Sequence, residues 1–214
     1  TKINNNITTT GTQTYNEPVT LANSVNLTTT NNNLTFNNTL EGTTANTENL
    51  TLNTGTGNIT FSGSIGNTTP LANIIANSTG TTNFGNTVNA TTLTTDAGGT
   101  TKINNNITTT GTQTYNEPIV LTNSVILTNN NNNFTFNTTI NGTLGSENLT
   151  LNSGTGNITF NQPIGNTNPV GNITANSTGI TTFNSTVKAN SITTDASGTT
   201  KINGDITTTG TQTY

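Results

Sequence analysis

The sequence predicts an all-β protein built as a parallel β-helix, a β-solenoid of about 20 residues per coil and about five coils per 100-residue unit. Three observations point there: a long internal repeat, short apolar-Thr-apolar segments divided by Asn- and Gly-rich turns, and a composition too poor in apolar residues for an ordinary core. Of 214 residues, 60 are Thr and 44 are Asn, while 27% are hydrophobic and 6% charged. A typical globular domain is nearer half apolar and a quarter charged. Composition alone would suit a disordered Asn/Thr-rich segment, but ordered alternation at matching places in two units argues for a thin core repeated many times.

The repeat organises everything else. Residues Thr1 to Pro18, TKINNNITTTGTQTYNEP, recur unchanged from Thr101 to Pro118, and the same opening returns as TKINGDITTTGTQTY from Thr200 to Tyr214. The chain therefore divides into unit 1 at 1–100, unit 2 at 101–199 and the start of unit 3 at 200–214, one continuous solenoid expected to be part of a longer array. One residue is lost between the units, in the stretch where LTFNNTLEGTTANTENLTLN from Leu34 faces FTFNTTINGTLGSENLTLN from Phe134. A deletion there is expected in a turn, because a strand that loses one residue flips every following side chain to the other face.

Within each unit the strands announce themselves by period 2. Leu34-Thr35-Phe36, Leu50-Thr51-Leu52 and Ile59-Thr60-Phe61 recur as Phe134-Thr135-Phe136, Leu149-Thr150-Leu151 and Ile158-Thr159-Phe160. Apolar, Thr, apolar is the pattern of a strand with one buried face, and Thr itself favours strands. Between them lie turn clusters such as Asn53-Thr54-Gly55-Thr56-Gly57-Asn58 and Asp96-Ala97-Gly98-Gly99, where Gly and Asn tolerate positive φ. Taking Leu27, Leu50, Ile74, Leu93, Ile107 and Leu127 as successive starts of one strand family gives steps of 23, 24, 19, 14 and 20 residues. Phe36, Leu52, Phe61, Ile65, Phe84 and Val88 are the expected inward side chains. No helical apolar spacing competes.

Missing residue types exclude much chemistry. With no His and no Cys, His-assisted and Cys nucleophiles, disulfides and the usual zinc ligand sets are unavailable to the chain. Four Lys against eight acids give a net charge of −4, which argues against nucleic-acid binding. No apolar run is long enough to span a membrane and no signal peptide is visible. Catalytic, cofactor-binding and metal-binding residues are accordingly expected to be none.

Several side chains merit weighing even so. Six of the eight acids fall in equivalent pairs, Glu17 with Glu117, Glu48 with Glu147 and Asp96 with Asp195, whereas an active site is normally singular; Glu41 and Asp205 align with Asn141 and Asn106. A calcium-binding nonapeptide would need the reverse order of Asp96-Ala97-Gly98-Gly99 and many more acids. Lys2, Lys102 and Lys201 recur near strand starts, and the last two are placed for a weak contact with Asp96 and Asp195 on a neighbouring coil. Tyr15 and Tyr115 are expected in the core rather than stacked on sugars. The Asn-x-Thr/Ser matches at Asn6, Asn26, Asn33, Asn49, Asn58 and Asn77 arise by chance in such a composition. The outward pairs Thr8 and Thr10, Thr28 and Thr30, and Thr108 and Thr110 raise the alternative of an ice-binding or glycan-binding face.

The stretch from Leu93-Thr94-Thr95-Asp96-Ala97-Gly98-Gly99-Thr100-Thr101-Lys102-Ile103 into Ile107-Thr108-Thr109-Thr110-Gly111-Thr112-Gln113-Thr114-Tyr115-Asn116 resembles repeats of large bacterial surface proteins of the filamentous haemagglutinin type. That resemblance spans both units and the tail. It implies a right-handed parallel β-helix serving as the shaft of a secreted adhesin or extracellular filament. The expected partners are neighbouring repeats of the same chain and identical fibres packed laterally or end to end, with no nucleic acid, no membrane insertion by this segment and the receptor left open, and the expected location is outside the cell or on its surface.

Overall fold

A computed structural model describes residues 1–195 and 197–214. Among them the chain forms 27 short strands and no helix. The apolar-Thr-apolar segments are these strands: Leu34–Phe36, Ile59–Phe61, Phe134–Phe136 and Ile158–Phe160 each bury both apolar side chains and leave the central Thr half-buried on the outside. Every pairing between strands is parallel. The result is the expected β-solenoid, with about 10 coils and about 21 residues per coil. At about 4.8 Å per coil the rod is about 50 Å long.

Each coil has three faces. The first begins with Lys2–Ile3, Val19–Leu21 and Leu40–Gly42 and runs on through bridges at Ile65 and Val88. The second begins with Ile7–Thr9, Val25–Thr29, Leu50–Gly55 and Leu71–Ser78. The third holds Gln13–Tyr15, Leu34–Phe36, Ile59–Phe61, Thr81–Phe84 and Thr100–Ile103. Val88–Thr95 is long enough to round a corner, so that Val88 pairs with Ile107 on the first face and Leu93 with Gln113 on the second.

These pairings resolve the unit of about five coils into four full coils plus two further faces. Identical sequence therefore lands on a different face one unit later. Ile7–Thr9 lies on the second face but Ile107–Thr109 on the first, and Gln13–Tyr15 on the third but Gln113–Tyr115 on the second. Register also departs from the sequence expectation at two steps. Leu27 pairs with Leu52 rather than Leu50, and Ile107 with Val88 rather than Leu93. Leu50 and Leu52 both point inward from one six-residue strand, so apolar spacing cannot choose between them. The apparent 14-residue step joins two faces of one corner strand and is not a coil.

The core is a set of columns in which like stacks on like. Phe36, Leu52, Phe61, Ile65, Phe84 and Val88 are all buried, as expected. Tyr15, Phe36, Phe61 and Phe84 stack with ring centroids 4.9, 5.2 and 5.5 Å apart. Tyr115, Phe136, Phe160 and Phe183 repeat this ladder one face over at 5.2, 5.0 and 5.0 Å. Such separations lie in the favourable range for parallel aromatic pairs. The same principle governs the corners. Asn31 sits at φ 57° and Gly55, one coil on, at φ 58°; the Asn31 side chain accepts from the Thr56 amide at 3.1 Å and occupies the space a Cβ at Gly55 would need.

Two substitutions test this packing. Phe136→Ala, in mid-ladder, removes a ring with neighbours above and below and is expected to cost about 3–5 kcal/mol in denaturant unfolding. Asn129 is buried with neither amide atom hydrogen-bonded, whereas Thr29, its counterpart in unit 1, donates to the Asn32 carbonyl. Asn129→Thr is therefore expected to stabilise the protein by about 1–2 kcal/mol.

Candidate functional site

The outer faces carry columns as regular as the core. On the second face Thr94, Thr114, Thr135, Thr159 and Thr182 stand in register over five successive coils. Beside them Asn116, Asn137, Asn161, Asn184 and Asn203 form an amide ladder, in which the Nδ2 of each of the last four donates to the Oδ1 one coil back at 2.6 to 2.9 Å and that of Asn116 to the Thr95 carbonyl. In unit 1 the matching Thr column, Thr14, Thr35 and Thr60, lies on the third face and passes into Asn83 and Lys102. The Thr pairs singled out from sequence do not build a wider array. Thr8 and Thr28 are followed in register by Asn53 and Asn77. Thr10 and Thr30 sit at the corner, where their carbonyls accept from Asn32 Nδ2 at 2.9 and 2.7 Å.

The acids lie apart from one another, seven of them between strands and Glu41 within the strand Leu40–Gly42. Glu48 and Glu147 are buried just under the surface by their own loops. Burial by itself would raise their pKa, but hydrogen bonds outweigh it and hold both below the ordinary carboxylate value. Glu48 accepts from Thr43 Oγ1 at 2.8 Å and from the Thr44 amide, and Glu147 from the Leu144, Gly145 and Ser146 amides at 2.7 to 3.1 Å. Glu41 accepts from the Thr68 and Thr69 amides, while Asn141 takes the Thr167 amide in its place, so the position calls for an acceptor and not for charge. Asp96 caps the Ser78 amide and Asp195 the Ser197 amide. Asp205 takes the place of Asn106, whose Oδ1 accepts from the Ile126 amide at 2.8 Å.

Glu117 differs from the rest. It is fully buried at the junction of the two units. Thr101 Oγ1 donates to its Oε1, while Oε2 has no hydrogen-bond partner. Desolvation, helped by the charge of Asp96, pushes its pKa up to about 7. Sequence reasoning paired Glu117 with Glu17 and had no signal for this burial, since Glu17 has the same neighbours in sequence yet its side chain is 79% exposed, 4.0 Å from the Thr1 ammonium.

The remaining candidates are structural. Tyr115 is wholly buried, and burial raises its pKa. Its hydroxyl donates to Gln113 Oε1 at 2.8 Å, and Gln113 Nε2 donates to the Thr128 carbonyl at 2.9 Å. This buried Gln-Tyr pair, repeated at Gln13 and Tyr15, was not anticipated, because Gln is rarely an inward residue. The Lys to Asp contacts do not form: among the described residues the single ion pair is the one between the Thr1 ammonium and Glu17. Asn6, Asn33, Asn49 and Asn58 each use their Oδ1 to cap an amide one coil on, a structural role in the stack. Two shallow grooves of about 620 and 310 Å³ occupy equivalent places in the units. Pro169, Ala189 and Thr209 line one, Pro70, Ala90 and Thr110 the other, and neither is lined by a charged side chain. No group of three or more metal-ligating side chains gathers among the described residues.

Glu147→Gln replaces an anion held by three amides with a neutral side chain and is expected to cost about 1–2 kcal/mol at pH 7, measured by denaturant unfolding. Because the pKa of Glu48 and of Glu147 is lowered on folding, the stability they contribute is present above the ordinary carboxylate value and lost as pH falls through it. A melting profile should accordingly drop on the acid side, and the double variant Glu48→Gln/Glu147→Gln should flatten that drop. No family model, curated protein or solved structure matches the chain.

Proposed function

We propose that this chain is a length of structural shaft, a stiff non-enzymatic rod belonging to a bacterial surface adhesin or extracellular filament of the filamentous haemagglutinin type. One observation carries the proposal: backbone pairing runs without interruption across the unit boundary. Thr100–Ile103 at the start of unit 2 pairs with Thr81–Phe84 of unit 1 on one side and Ile119–Leu121 on the other. The units are thus not separable domains, and bending the rod anywhere would break parallel ladders on three faces. Such a rod transmits force and sets distance, and its neutral polar surface suits either solvation or side-by-side packing with identical fibres outside the cell.

Binding to ice or to a glycan is the second proposal, favoured by the column Thr94, Thr114, Thr135, Thr159 and Thr182. That column is a single file, and it moves to another face one unit later. A long rod therefore offers no continuous Thr plane, which supports the shaft over the binding face.

Chains of two, four and six concatenated units should appear in electron micrographs as straight rods that lengthen by about 22 Å per unit, from four and two-thirds coils of about 4.8 Å. Beaded or collapsed particles would overturn the shaft. Thermal hysteresis in solution that Thr135→Lys abolishes would replace it with ice binding.

A further inference from the structure

The unit junction holds a buried carboxyl group that no structural role so far described employs. Glu117 lies under the turn Asp96 to Gly99, with Thr101 Oγ1 on its Oε1 and no partner on Oε2. Around Oε2 lie two backbone carbonyls and one backbone amide, that of Gly99. A Cβ placed on Gly99 would lie within 2.5 Å of Ser78 O, Gly80 O and Glu117 Oε2 at once, so the carboxyl oxygen and two backbone carbonyls converge on one small space. Gly80 O already accepts from the Thr100 amide at 2.9 Å. An ionised carboxylate would face carbonyl dipoles of its own sign, offset by the Thr101 hydroxyl and then the Gly99 amide; a protonated Oε2 would have Ser78 O as an available acceptor.

Charges around the group act the same way. Asp96, one coil back, is the charged residue on the turn above, and its Oδ1 is already engaged by the Ser78 amide at 3.0 Å. Lys102 on the adjoining strand is exposed and makes no ion pair. The coil beyond presents Asn137, Thr138 and Thr139, none of them charged, and Thr138 Oγ1 is itself buried without a partner.

We propose that the junction between units is a proton-dependent clasp, in which Glu117 is held as a neutral acid whose Oε2–H binds the Ser78 carbonyl of the preceding unit, and that losing this proton loosens the junction. Desolvation and Asp96 raise the group from an ordinary value of 4.5 to about 7 in the folded rod. A raised acid pKa means the folded state keeps a proton that the unfolded chain has released, so the stabilisation is fully present below the ordinary value and is lost as pH rises toward 7. Glu48 and Glu147, shifted downward, titrate on the other side of that window and do not mask it.

The test is the melting temperature of the full 214-residue chain between pH 5 and 8, with and without Glu117→Gln. The folding constant of the native chain should fall by about two orders of magnitude across that range. The variant, which keeps a neutral donor at the same place, should match the native chain at pH 5 and stay level to pH 8. A level native profile, or the same slope in both proteins, overturns the clasp. If Glu117→Gln does not fold, carboxyl carbon NMR of the native chain decides. Among its five Glu, one midpoint near neutrality supports the clasp, and the absence of any midpoint near neutrality overturns it. Recovery of the pH 8 loss by millimolar calcium, reversed by a chelator, would also overturn it by making the junction a cation site.

Discussion

Each coil of this protein has to pass its backbone hydrogen bonds to the coils on either side, and the remaining structure follows from that constraint. A single coil of about 21 residues encloses too little apolar volume to fold alone, so burial is achieved between coils. Parallel pairing then aligns equivalent residues along the rod axis about 4.8 Å apart. Rings meet rings, amides meet amides, and any residue chosen for one coil must tolerate its like in the next.

That condition accounts for the composition. Like charges stacked at strand spacing repel, whereas Asn satisfies its own kind by donating from Nδ2 to the Oδ1 of the neighbour, as Asn137, Asn161, Asn184 and Asn203 do in succession. Thr fills the outward strand positions because it is β-branched and neutral. Glu41, Glu48, Asp96, Glu147 and Asp195 are placed where backbone amides supply donors, and the exchange of Glu41 for Asn141 leaves the bonding intact. Half of the chain is Thr and Asn for the same reason that the core is thin.

Repetition in sequence and repetition in space are out of phase here. A unit that ends one face short of a fifth full turn moves each motif sideways around the rod, so the aromatic ladder ending at Phe84 on the third face resumes at Tyr115 on the second. Surface columns shift with it. Repetition of this kind spreads any groove or Thr column around the circumference of the rod. The junction where one unit meets the next is also where Glu117 is enclosed, between the turn that closes unit 1 and the coil that opens unit 2.

By itself the sequence determined the strands, the repeat and the solenoid, because period-2 patterns such as Leu34-Thr35-Phe36 are local and their recurrence at a fixed offset needs no three-dimensional knowledge. It also indicated that the paired acids hold repeated structural positions, since an active site is normally singular. Register was decided only in the tertiary structure: Leu50 and Leu52 are equally apolar and equally inward, and it is the turn lengths on either side that match Leu27 to Leu52. The interior of Gln113 was likewise illegible, because its burial depends on Tyr115 and Thr128 meeting it across a coil. The sharpest case is the pair Glu17 and Glu117. Both sit in TKINNNITTTGTQTYNEP, so nothing local distinguishes them. Glu117 is covered by the Asp96 to Gly99 turn of the coil before it, whereas Glu17 stands on the first coil described and has no such cover.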